Sequence, residues 1–248
     1  MSDTQLAEVM SLLRGSDTVE LKLTVPDSEQ RAAIRGLGLD ALDAQIRQVV
    51  FFDTPDLALD RAGVVVRARR IQGRAGDSVI KLRPLDPDQV SADVRRLTGF
   101  GVEVDAIPGR FVCSGRLKCE ADSDAIRQVV LGERRLRKLY TKEQRALYGA
   151  HAPDGIDLDD LAVLGPIFVL KLKWQPRDFA RKMVAELWLY PDGSRIFELS
   201  TKCLPPEAFQ VAAETRVFLS EHGIDLSGEQ QTKTRTALEF FAGDLAAD

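Results

Sequence analysis

The sequence predicts an α+β protein: a closed or nearly closed antiparallel β-barrel of about eight strands, with helices packed outside. Three observations carry that expectation. Five stretches alternate apolar residues with Lys, Arg, Glu or small polar residues: TVELKLTV, GVVVRARR, SVIKLRP, FVLKLKW and RIFELSTK. Turn signals, above all QGRAGD and Pro191-Asp192-Gly193, join neighbouring stretches into hairpins. Helical spacing is confined to short segments and to the C-terminal region. Residues two apart in a strand share a face, so each stretch offers one apolar and one charged face. About eight such strands can curl into a barrel with the charges inside. An interior full of cations must be wet or neutralised, and a water-filled tunnel for a polyphosphate meets that demand.

The elements follow in order. Residues 4–14 have the spacing of a short amphipathic helix, the core of an N-terminal helical segment 1–16. A first strand, 18–25, places Val19, Leu21, Leu23 and Val25 on one side and Thr18, Glu20, Lys22 and Thr24 on the other. Pro26-Asp27 opens a helix to about Gly36, and a second strand at about 45–53 ends in FFDTP. A turn of helix runs from Thr54 to Gly63. Strands at 64–70 and 78–83 form a hairpin, and FGVEVDA puts Glu103 and Asp105 on one face. RFVCSGRLKCE reads either as a strand pair or as a strand entering a turn. SDAIRQVVLG is a helix capped by Ser123, and LRKLYTKEQRALY reads as a long strand. LAVLGPIFVLKLKW is a further strand, and KMVAELWLY with SRIFELSTK makes a hairpin. Helices at 205–222 and from Ser227 to Phe241 complete the chain, so that 205–248 packs on the barrel. No composition shift marks a linker, which makes residues 1–248 one domain.

Composition narrows the function. A net charge of −4 over 248 residues argues against a general nucleic-acid binder. Three cysteines without a CxxC pair imply a reducing, cytoplasmic setting. Two histidines at no metal-ligand spacing speak against a His-based zinc site. No secretory signal and no long apolar stretch is present, so no membrane partner is expected. Oligomeric state has no signature.

These residues resemble the CYTH superfamily, the triphosphate tunnel metalloenzymes. The closest match is VFFDTPDLALDRAGVVVRARR at 50–70; KLRP at 81–84 and LAVLGP at 161–166 are also similar. The pattern is departed from in two strands. Thr18 stands where the family's first strand has its leading glutamate, leaving Glu20 and Lys22. Lys171 and Lys173 stand where a late strand commonly carries paired glutamates. The resemblance implies a barrel tunnel in which Mg²⁺ or Mn²⁺ bridges a triphosphate that is hydrolysed, or in some members cyclised from ATP. A purine pocket has no sequence signal here, so hydrolysis makes the smaller demand.

On that reading Glu20, Lys22 and Glu198 are the catalytic candidates. Arg67, Arg69, Lys81, Arg83, Arg145, Lys171, Lys173 and Lys202 are the phosphate contacts, the arginines suited to bidentate grip. Glu20, Glu186 and Glu198 are the metal candidates, since hard divalent ions want carboxylate oxygens. Glu186 and Glu198 lie five residues before and after the Pro191-Asp192-Gly193 turn and can stand side by side on one face. Glu143 is a further candidate beside Arg145. The expected partner is a triphosphate-containing small molecule or inorganic polyphosphate. Two alternatives stay open: a catalytically weak or inert polyphosphate or nucleotide binder, and a structural barrel whose charged face is merely solvated. GRAGD is a hairpin loop, the tryptophans are packing residues, and Arg134, Arg135, Arg137 and Lys138 form a solvated cluster.

Overall fold

The computed structural model describes residues 3–224, 230 and 233–247. Among them are nine strands: β1 (Thr18–Val25), β2 (Gln45–Asp53), β3 (Val64–Ile71), β4 (Arg74–Leu82), β5 (Phe100–Ile107), β6 (Arg110–Ala121), β7 (Ala162–Trp174), β8 (Met183–Leu189) and β9 (Arg195–Cys203). They close into a barrel in the order β1-β5-β6-β4-β3-β2-β7-β8-β9, with β9 returning to β1. All neighbours are antiparallel except β1 and β5, which run parallel. The barrel is therefore mixed, with one strand more than the alternation suggested. RFVCSGRLKCE supplies the single twelve-residue strand β6.

The helices are α1 (Asp3–Arg14), α2 (Gln30–Gly36), α3 (Ala58–Arg61), α4 (Ala92–Arg95), α5 (Ser123–Val130), α6 (Lys142–Gly149), α7 (Ala208–Glu221) and α8 (Lys233–Ala247). Met1 and Ser2 of the expected N-terminal segment, and the stretch from Ser227 to Thr232 of the expected last helix except Gln230, lie outside the described residues.

Most of the apolar core sits outside the barrel wall. Val19, Val102 and Val104 pack under α1 and α7 with Val9, Leu13 and Val211. Val64, Val66, Ala68 and Ile80 pack under α5 and α6 with Ile126, Val129 and Leu147. Leu23, Leu199 and Met183 meet Phe218 and Leu219 of α7. Each strand thus spends its apolar face outward under a helix, and its other face is left to line the interior. α8 differs from that pattern. Its Ala237 and Leu238 are buried among inward-facing Val49, Phe51, Ile167, Val169 and Trp188. The last helix therefore closes part of the barrel's inside and does not lie on its outer wall.

The expected long strand at LRKLYTKEQRALY is a 3₁₀ turn, Leu136–Leu139, followed by α6. Thr141 and Gln144 form a capping box, Thr141 accepting from the Gln144 N–H while the Gln144 side chain accepts from the Thr141 N–H. Gln144 is wholly buried, and its amide donates to the carbonyls of Ser78 and Leu117. The cap of α5 is Asp122 and not Ser123, since its carboxylate accepts from the N–H groups of Asp124 and Ala125. The FFDTPD motif has a structural job. Asp53, 1% exposed, accepts from the N–H groups of Thr54, Leu59 and Asp60 at 2.7, 2.9 and 3.0 Å, fastening α3 to the end of β2. Where β7 bulges against β2, Gly165 takes φ 137°, and a Cβ there would lie 3.1 Å from the Val49 carbonyl oxygen.

Candidate functional site

The inward faces enclose a cavity of about 280 Å³. The five alternating stretches converge on it as their period requires. β1 contributes Glu20 and Lys22, β3 Arg67 and Arg69, β4 Lys81, β7 Lys171 and Lys173, β8 Glu186, and β9 Glu198 and Lys202, with Arg83 just beyond β4. Arg145 is not among them. It lies exposed on α6, donating to the carbonyl of Arg137. Glu143 is on the same helix, outside the barrel, because this segment coils as a helix where the sequence suggested a strand.

Several lining residues escaped the sequence reading. Arg47, Arg74, Arg116 and Lys118 also face the cavity, as does Lys233 at the start of α8. Arg116 and Lys118 alternate in GRLKC and would have been found had that stretch been read as one strand. Lys233 carries no sequence signal, because its place depends on where α8 docks. Glu103 and Asp105 share a face as expected, and that face is the inner one.

Three ionic clusters divide the interior. In the first, Asp105 is 0% exposed and meets Lys22 at 2.6 Å, Arg83 at 3.4 Å and Lys81 at 3.7 Å. Lys22 also reaches Glu20 at 3.2 Å. Burial alone would raise the Asp105 carboxyl, but the surrounding cations outweigh it and hold it well below the ordinary range. Burial opposes Glu20 in the same way, and Lys22 and Lys202 bring it down to about 2. Lys81 is pushed to about 8, with burial dominating over the pull of Asp105. Thr18 pairs with Glu103 across β1 and β5, and its hydroxyl donates to Glu103 Oε2 at 3.5 Å. Glu20, Glu103 and Asp105 each bring one oxygen to within 4.8 Å of the others.

In the second cluster Asp77 takes a bidentate grip from Arg69, at 2.8 Å to each oxygen, and Lys118 at 3.4 Å. The third joins β7, β8 and α8. Glu186 and Glu198 stand opposite one another in the β8–β9 ladder, as the turn spacing suggested. Lys171, opposite Glu186 in the β7–β8 ladder, pairs with it at 2.5 Å. The Lys233 ammonium bridges Glu186 and Glu198, at 2.7 Å from the latter. Burial raises and Lys233 and Lys171 lower the Glu186 carboxyl, and the lysines prevail decisively.

The cations exceed the carboxylates. Among the described residues Arg47, Arg67, Arg74 and Lys173 have no ion-pair partner, and the buried Arg67 Nε has no hydrogen-bond partner. Burial, followed by the nearby Arg69, pushes Arg67 down to about 9. A guanidinium stays charged at physiological pH, so that displacement expresses the cost of a cation lacking a counter-charge. Closely spaced, unpaired and partly desolvated cations repel one another and raise the local positive potential of the cavity. Trp188 is the one aromatic residue among the described residues lining the cavity, and its indole Nε1 donates to Glu186.

Comparison with known proteins places this geometry. No family profile matches the sequence, and no curated protein does. Solved structures do match. A candidate adenylate cyclase from Bacillus halodurans superposes with a TM-score of 0.61 at 11% identity, over 89% of this chain and 97% of that one. HpAC1 from Hippeastrum, a candidate adenylyl cyclase in which triphosphatase activity is dominant, superposes with a TM-score of 0.59 at 17% identity, over 87% and 92%. At such identities the likeness establishes the fold.

Proposed function

We propose, from the CYTH-type tunnel fold as premise, that the chain binds a triphosphate-bearing anion inside the barrel and hydrolyses it with the help of a divalent ion. The carrying observation is the set of unpaired cations, with Arg67 enclosed and its Nε unsatisfied. The cavity-lining arginines of β2 and β3, Arg47, Arg67 and Arg69, together with Arg74, hold phosphoryl oxygens by directed N–H bonds, and Lys173 adds a point charge. Lys22, Lys81 and Arg83 stand at the boundary with the acidic cluster. There they offset the charge that spreads over phosphoryl oxygens as the bond to the leaving group loosens.

The donor chemistry fits Mg²⁺ or Mn²⁺ at Glu20, Glu103 and Asp105. All three are hard carboxylates, and the buried Asp105 Oδ2 has no hydrogen-bond partner despite nearby cations. An ion bound there supplies Lewis-acid polarisation of a phosphoryl oxygen and a more acidic water. The Glu186–Glu198 pair fits less well, since it offers two carboxylates against three and its oxygens Glu186 Oε1, Glu186 Oε2 and Glu198 Oε1 are held by Lys171 and Lys233. Cyclisation of ATP would need a shelter for the purine, and the one aromatic residue described in the lining, Trp188, is packed against the Lys233 ammonium at 5.2 Å. The triphosphatase activity of HpAC1 agrees with hydrolysis as the simpler chemistry.

A second reading, metal-free binding without turnover, draws support from one observation. Every lining glutamate is already ion-paired with a lysine. Calorimetric titration of the chain with tripolyphosphate, with and without Mg²⁺, combined with a phosphate-release assay, separates the two. Hydrolysis predicts phosphate release that requires the metal and is lost in Asp105→Asn, with Arg145→Ala unaffected. Metal-independent binding without release would favour the second reading, and no binding in either condition would reject both.

A further inference from the structure

Lys233 sits in an unusual place for a lysine. Its ammonium bridges two carboxylates, Glu186 and Glu198, that face each other from adjacent strands inside the cavity. It lies 5.2 Å from the centroid of the Trp188 ring, whose indole N–H donates to Glu186 Oε2 at 3.2 Å. The backbone delivers it there firmly. Lys233 is the first described residue of α8, the Tyr190 hydroxyl donates to its carbonyl at 3.2 Å, and Ala237 and Leu238 one turn further on are 0% and 2% exposed. The side chain is thus held at both ends, by a docked helix and by two carboxylates.

Two carboxylates on neighbouring strands beside a cation-lined cavity form the kind of oxygen pair that a hard divalent ion takes. Here the ligand oxygens are already taken: Lys171 holds Glu186 Oε1, and Lys233 holds Glu186 Oε2 and Glu198 Oε1, whereas in the equally cation-rich cluster of Glu20, Glu103 and Asp105 the buried Asp105 Oδ2 has no hydrogen-bond partner. An ammonium also differs from a metal in kind: it donates hydrogen bonds but has no coordination position for a phosphoryl oxygen or a water.

We propose that Lys233 is a resident cation that substitutes for a divalent ion at Glu186 and Glu198, so that the cavity binds metal only at Glu20, Glu103 and Asp105. The identity of that remaining site rests on the functional reading above; the role of Lys233 does not. Lys233 is then a positioning residue that sets how many metal ions the barrel takes and where they lie. A bound polyphosphate would meet a metal on the β1–β5 side and an ammonium on the β8–β9 side.

The test is Mn²⁺ stoichiometry on the full chain, read from the free-ion electron paramagnetic resonance signal and by calorimetry, without substrate. The native chain should bind one Mn²⁺, Lys233→Met two, and Lys233→Met with Glu198→Gln one again. Lys233→Arg, which keeps the charge, should stay at one. Glu198→Gln alone should also leave the count at one, a check that does not depend on the folding of the methionine variant. Two ions in the native chain, one of them lost in Glu198→Gln, would overturn the proposal. So would a natively folded Lys233→Met that gains none. A native chain that binds no Mn²⁺, while Lys233→Met gains one that Glu198→Gln removes, would instead reject the Glu20, Glu103 and Asp105 site and keep the role of Lys233.

Discussion

Replacing Arg67 by methionine should strengthen the fold and weaken phosphate binding. Methionine keeps much of the side chain's apolar length while removing the guanidinium. The folded protein holds this group at about 9, well below the ordinary guanidinium value, chiefly through burial and then through Arg69. Because the folded value lies below the unfolded one, the charged form is penalised in full at every pH below about 9, and the penalty fades only as the pH climbs from there toward the ordinary guanidinium value. At about 1.4 kcal/mol for each tenfold in proton affinity, the ceiling on that penalty is on the order of 5 kcal/mol. Water in the cavity reduces it, and about 2 kcal/mol is the magnitude expected for relieving a poorly compensated internal cation. For a chain of this size that corresponds to a rise of about 4–8 °C in melting temperature. The same change removes charge-assisted hydrogen bonds to phosphate, each about 1.5–3 kcal/mol, so tripolyphosphate affinity should drop roughly 10- to 100-fold. Urea denaturation followed by circular dichroism reads the first effect and calorimetry the second. Saturating tripolyphosphate should also stabilise the native chain more than the variant, since a ligand of the folded state adds stability in proportion to its affinity. A variant that melts lower than the native chain and binds tripolyphosphate equally well would refute the reasoning, for it would make Arg67 a structural residue.

Two further outcomes test the surrounding framework. Glu20 is held at about 2 in the folded state against an ordinary 4.5, so its contribution to stability is complete above about 4.5 and is lost as the pH falls toward 2. Denaturation midpoints measured from pH 6 to pH 2 should fall steeply across that window, by an amount worth about 3 kcal/mol from this group, and Glu20→Gln should flatten the slope. Gln144→Ala removes a buried amide that caps α6 and satisfies the carbonyls of Ser78 and Leu117. It should cost about 2–4 kcal/mol in urea unfolding, while tripolyphosphate affinity stays unchanged because the amide lies outside the cavity wall.

What could be read from the sequence divides by the range of the interaction that settles it. Alternation in GVVVRARR makes Arg67 and Arg69 share a face wherever the strand goes, and the five charged faces did meet inside one barrel. The equal spacing of Glu186 and Glu198 about a tight turn fixed their pairing, because a hairpin's register follows from its loop. The LRKLYTKEQRALY segment shows how a local signal can be outvoted. Its Thr141 and Gln144 have the spacing of a capping box, but α6 has only eight residues and buries little more than Gln144, Leu147 and Tyr148, so no apolar stripe announces it.

By itself, then, the chain determined which residues alternate, where the hairpins turn, and that an interior of cations would need an anion. The parallel pairing that sets Glu103 beside Thr18, and the docking of α8 that carries Lys233 to Glu186 and Glu198, were decided only by the tertiary structure. The physical reason is that a two-residue period is imposed by neighbouring peptide units. Ring closure and helix docking are instead chosen collectively by the apolar surface buried across the whole molecule, and no short stretch of sequence records that choice.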